Sequence, residues 1–155
     1  MSNDESMLLS ILGEEFAAMT RLREILETES DALERLQVEA LLSLADAKQA
    51  LIQSLEASGE RRAALLAGLG YGADPVGMDR YLSIAPAEVA AAWRVLVDET
   101  TRCEALNRRN GALNNSGQRQ VRRLLRVLRG EPVEPATYDR KGDSGIGGGQ
   151  PLAKV

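Results

Sequence analysis

The chain has 155 residues and a net charge of −4, with 44% hydrophobic but only 3% aromatic residues. It contains no histidine and one cysteine, Cys103, which removes the commonest general base and metal ligand and excludes an intrachain disulfide or multi-cysteine metal site. A cysteine with no histidine to activate it is a poor nucleophile, so the composition points to a binding or structural protein without catalytic residues, cofactor or metal.

The apolar residues are mostly Leu and Ala, strong helix formers, and no alternating strand pattern is present. Asn3 or Asp4 is expected to cap a first helix, with Asp4 and Glu5 favourably placed against its positive end. Leu12, Met19, Leu26 and Leu33 then recur at heptad spacing, with Leu8, Phe16, Leu22 and Leu36 as a companion stripe. At 1.5 Å per residue this predicts a helix of roughly 45 Å. Its polar face carries Glu14, Glu24, Glu27 and Glu34.

A phase shift near Leu36 to Glu39 is read as a reversal into a second helix, with one continuous helix of over sixty residues as the alternative. Its stripe reads Leu41, Leu44, Lys48, Leu51, Leu55, Ser58, Arg62, Leu65 and Leu69. Lys48 interrupts the apolar seam and is expected to pair with an acid of the first helix, Glu27 or Glu29. Gly68, Gly70, Gly72, Pro75, Gly77 and Pro86 form a connection, with one short helical turn around Met78 to Leu82. A third long helix starts at Pro86. Its stripe runs through Val89, Trp93, Leu96, Thr100 and Cys103, then Asn107, Asn110, Asn114 and Gly117, then Val121, Leu124 and Leu128. Asparagine on a helical seam lowers stability but selects a register, and Gly111 belongs where another backbone comes close or the helix bends. Gly130 ends the helix.

These elements predict an all-α fold: an elongated antiparallel three-helix bundle or coiled coil with a short helical turn in the second connection. The bundle domain spans residues 1–130, and residues 131–155 form a glycine-rich, flexible tail whose exception is Tyr138. No signal peptide or membrane span is expected, so the reading is cytoplasmic without membrane insertion. Charge is segregated: residues 1–60 hold thirteen acids against four bases, whereas residues 102–129 hold eight arginines and one glutamate. Pairing of acidic and basic helices accounts for this. Nucleic-acid binding through Arg119 to Arg129 is disfavoured by the scarcity of stacking aromatics and by a pI near 5.0. A self-associating structural coiled coil is the other alternative.

The segment Leu106-Asn107-x-x-Asn110-Gly111-x-Leu113 on a third long helix resembles the signature of the FlgN family of flagellar type III export chaperones. Lys48, Arg61-Arg62 and Leu65-Leu66 on the second helix agree, as does Trp93 ahead of the motif. Thr137-Tyr138-Asp139-x-x-Gly142 is similar to a short segment of the family's tail, so the resemblance covers most of residues 8–142. It implies a cytosolic chaperone that holds hook-associated proteins 1 and 3 by their C-terminal helical segments. Such a chaperone prevents premature assembly and delivers the subunits to the flagellar export gate protein. Helix-in-groove docking suits such segments. The third helix looks longer than either arm of the hairpin before it. Its distal residues Val121, Leu124, Leu125 and Leu128 are therefore the expected subunit anchors. By resemblance, Tyr138 would dock on the export gate.

Overall fold

The computed structural model describes residues 1–130, with the side chains of all but residues 116–118 and 120–124. Four helices follow in order: α1 (Asn3–Glu34), α2 (Val38–Gly68), α3 (Pro75–Leu82) and α4 (Ala87–Leu128). No strand occurs among the described residues. The tail from residue 131, with Tyr138, lies outside them.

α1 starts one residue earlier than the sequence suggests, because a capping box forms there. The Ser2 hydroxyl accepts from the Glu5 amide at 3.2 Å, and the Ser2 amide donates to the Glu5 carboxylate at 2.6 Å. Ser2, not Asn3 or Asp4, is therefore the cap.

The reversal falls within Arg35–Gln37, where the phase shift puts it. The Gln37 amide donates to the Ala32 carbonyl at 2.9 Å, and the Leu36 amide to the Leu33 carbonyl at 3.3 Å. This six-to-one, five-to-two pairing requires a left-handed residue just past the helix. Leu36 occupies that position, at φ 55°. The end of α2 repeats the motif, Tyr71 to Leu66 and Gly70 to Ala67, with Gly70 at φ 89°. Leucine in this conformation costs about 1 kcal/mol that glycine does not.

Ion pairs set the helix directions. Glu14 meets Arg61, Glu15 meets Arg62 and Glu29 meets Lys48, so α1 and α2 are antiparallel. Along α4, Glu99 meets Arg23, Asn110 meets Leu26 and Glu29, and Arg109 meets Glu34, so α4 runs parallel to α1. The order is up-down-up.

α3 closes the end where α2 leaves and α4 enters. Asp74 caps it, accepting from the Gly77 amide at 2.8 Å, with Pro75 in its first turn. A side chain at Gly77 would collide with the carbonyls of Tyr71 and Gly72, so the loop needs glycine there. Met78 and Tyr81 on α3 join Leu8, Leu12, Leu66, Val89 and Leu96 in one buried cluster. Tyr71 meets Tyr81 edge to face, with ring centroids 5.3 Å apart.

By packing, the chain divides into two units, Met1–Asn114 and Asn115–Val155. The first contains α1, α2, α3 and α4 as far as Asn114, with every core residue named above. The second contains the remainder of α4.

Candidate docking site on the last helix

Three carboxylates lie in the helical seams, and each is held by a cation from another helix. Glu15, seven residues after Leu8 and seven before Leu22, takes the inward place, and Phe16, expected on that stripe, is exposed instead. The charge is held by Arg62. Its Nε donates to Glu15 at 2.8 Å and its second guanidinium nitrogen at 3.1 Å, while its flat face lies 5.0 Å above the Trp93 ring. Bidentate pairing and stacking together offset the desolvation cost of keeping a charged pair inside.

Glu99 on α4 is buried and accepts from Thr20 at 2.9 Å and from Arg23 at 3.0 and 3.1 Å. Burial pushes its carboxyl upward, but the hydrogen bonds from Arg23 and Thr20, with the charges of Arg23 and Arg102, outweigh this and hold it below the usual range. Glu29 supplies the third site. One oxygen accepts from Lys48 at 2.8 Å and the other from the Asn110 amide at 2.8 Å. Lys48 therefore pairs with Glu29, one of its two expected partners.

The motif on α4 separates into two faces. Asn110 is buried; its amide also donates to the Leu26 carbonyl at 2.9 Å, while its own carbonyl oxygen has no hydrogen-bond partner among the described residues. Leu106 and Leu113 flank it, half-buried. Asn107 and Asn114, expected on the same seam, are exposed. The inward positions keep a seven-residue repeat, Val89, Leu96, Cys103 and Asn110, and the companion line lies three residues on, at Glu99, Leu106 and Leu113, rather than four residues on, at Thr100, Asn107 and Asn114. Gly111 is exposed with no neighbouring atom over it among the described residues, so no described backbone accounts for it.

Cys103 is buried, and its thiol donates to the Met19 carbonyl at 3.4 Å. Burial, reinforced by Glu99, pushes the thiol up to about 11. It is a core residue held in the neutral form. Among the described residues no group of three His, Cys, Asp or Glu converges to hold a metal. No described helix is long and apolar enough to cross a membrane.

Beyond Asn114, α4 continues through Val121, Leu124, Leu125 and Leu128. These four follow a three–four spacing that places them on one stripe. Leu125 and Leu128 are exposed, as is Val127 beside them; the side chains of Val121 and Leu124 lie outside the description. Arg119, Arg122, Arg123, Arg126 and Arg129 surround the stripe in sequence. An apolar stripe among cations can dock an amphipathic segment; it offers no chemistry. The buried pairs Glu99–Arg23 and Glu15–Arg62 were not read from the sequence. The signal was present in Glu99, which stands four residues before Cys103 and seven before Leu106.

The profile of the FlgN family, described as FlgN protein, matches residues 1–145. The crystal structure of a Pseudomonas aeruginosa protein described as a flagella synthesis protein, FlgN, is similar to the chain at 32% identity. Its TM-score is 0.64, and the match covers 76% of this chain and 92% of that one. No curated protein matches the sequence. Profile and structure agree over most of the length, and the chain belongs to the FlgN family.

Proposed function

We propose that this protein is a cytoplasmic export chaperone of the flagellar type III system. It binds the C-terminal helical segments of hook-associated proteins 1 and 3 and delivers them to the export gate. Family membership supports the flagellar setting. The observation that carries the docking site is the exposed pair Leu125 and Leu128, one turn apart on one face of a helix whose upstream part buries Val89, Leu96, Glu99, Cys103 and Asn110. Val121 and Leu124 complete the stripe by spacing, and the interspersed arginines orient an acidic or amphipathic segment.

Replacing Leu125 and Leu128 with serine tests this. The double variant is expected to lose at least tenfold in affinity for hook-associated protein 1, measured by calorimetry, and to keep its thermal melting curve. Undiminished binding refutes the docking site; a collapsed melting curve shows that the leucines belong to a core. Tyr138 is the proposed anchor for the gate. A Tyr138→Ala chain should bind subunits normally but secrete them poorly, and normal secretion refutes that role.

A further inference from the structure

The exposed half of the α4 motif, Asn107, Gly111 and Asn114, is left over once the buried contacts of Asn110 are counted. Asn107 and Asn114 continue, at seven-residue spacing, the line of Trp93 and Thr100. Trp93 lies under the guanidinium of Arg62, 5.0 Å away, so this line faces α2. On α2 the matching line is Leu41, Lys48, Leu55 and Arg62, again seven residues apart. α2 and α4 are antiparallel. With Trp93 opposite Arg62, Asn107 therefore comes opposite Lys48 and Asn114 opposite Leu41. Exposure grows along this seam: Trp93 and Thr100 are half-buried, whereas Asn107 and Asn114 are exposed. Leu41, Leu44, Leu51 and Leu55 are only half-buried, and none of residues 38–57 is buried. α1 covers one side of this apolar face, and α4 leaves the other side open. The result is a cleft with a leucine wall and an asparagine wall, closed at Arg62 and Trp93 and open toward the α1–α2 turn.

Gly111 and Arg108 indicate what the cleft receives. Gly111 stands four residues after Asn107 and three before Asn114, on the same side of α4, with no described atom within 4 Å of a Cβ built there. A mid-helix glycine costs about 1 kcal/mol relative to alanine, and its bare backbone lets another backbone come close. An elongated groove with an apolar wall and such a crossing point suits a helix. The charge of that helix follows from the two arginines of the motif. Arg109 turns to α1 and meets Glu34. Arg108, about 100° around the helix on the side of α2, is exposed and meets no acid among the described residues. We propose that this cleft holds an amphipathic helix of a partner, with its apolar face on the α2 leucines, a small residue against Gly111 and an acid beside Arg108. On the function proposed above, on which this identification rests, the helix belongs to the C-terminal segment of hook-associated protein 1. The cleft is then a contact in addition to Leu125 and Leu128.

Calorimetry with hook-associated protein 1 tests the cleft. Gly111→Leu fills open space on a helix face. It should melt no lower than the parent and bind roughly tenfold or more weakly. Gly111→Ala should fall between the two. Ala105→Leu adds the same bulk at another exposed position of α4, turned away from α2, and should bind as the parent does. Arg108→Glu should weaken binding on the order of fivefold. A Gly111→Leu chain that binds like the parent, or an Ala105→Leu chain that is weakened equally, overturns the proposal. If Gly111→Leu binds normally while the Leu125 and Leu128 double variant does not, the cleft fails and the distal site stands. A parent chain that binds no subunit refutes the proposed function, and this identification with it. Nuclear magnetic resonance decides the occupant. The Gly111 backbone amide and the Asn107 and Asn114 side-chain amides should shift or broaden when subunit is added. Without subunit they should be unmoved by dilution and by removal of residues 131–155. Movement on dilution assigns the cleft to a second copy, movement on truncation assigns it to the chain's own tail, and either overturns the proposal.

Discussion

Asn110 is the residue at which the motif on α4 becomes physical. Its two amide hydrogens are spent on α1, one on the Leu26 carbonyl and one on Glu29, which in turn holds Lys48 of α2. One side chain thereby ties three helices at a single level. An apolar residue here would pack at several neighbouring registers, whereas the amide is satisfied at one. Asn110→Asp replaces a donor with a carboxylate against Glu29 and is expected to cost about 3 kcal/mol or more. Asn110→Ala removes the bonds but also the unpartnered carbonyl, and should cost less, about 1–3 kcal/mol. Chemical denaturation of both variants checks the order, and an Asp variant as stable as the Ala variant would refute the tie between Asn110 and Glu29.

At the scale of the helix, what could be read in the sequence follows from how each seam is covered. The α2 stripe from Leu41 through Lys48 to Leu65 lies inward as its spacing indicates, because one close neighbour, α1, covers it along its length. The reversal near Leu36 was visible as a phase shift, and the Lys48 partnership as a lone cation on an apolar seam. Three things were not legible. Glu15 stands at the seven-residue position between Leu8 and Leu22, but a lone carboxylate reads as solvent-facing until Arg62 and Trp93, some fifty and eighty residues away, are seen to hold it. On α4 the companion line lies three residues after each of Leu96, Cys103 and Asn110 rather than four, and the spacing of the apolar residues alone does not say which. The left-handed turn at Leu36 carries no glycine to announce it. Gly111 shows the consequence for the motif: it sits mid-helix with open space around it among the described residues, so packing among them does not demand it. Gly111→Ala should therefore stabilise the isolated protein by about 0.5–1 kcal/mol, since alanine restricts the unfolded chain and favours helix. Thermal melting checks this, and a destabilised variant would show that the helix needs glycine there for its own shape.

For the whole molecule, stability and pH are linked through the buried carboxylates, and Glu99 gives the direction. Its carboxyl is held lower in the folded chain than in the unfolded one, where a glutamate titrates near ~4.3. Folding then favours the ionised form, so its contribution is complete above that value and is lost as the pH falls toward the lower folded value. Acid also raises the net positive charge of a chain with nineteen Lys and Arg, which adds repulsion. The melting temperature is accordingly expected to be nearly flat from pH 7 to about 5 and to fall below it. Glu99→Gln separates the two effects. At pH 7 it should be about 1–3 kcal/mol less stable than the parent, because the buried Arg23 pairing is lost. Between pH 5 and 3 its stability should decline less steeply, so the two curves converge in acid. Parallel curves over that interval would mean that Glu99 does not carry the pH dependence and that charge repulsion alone drives the acid transition.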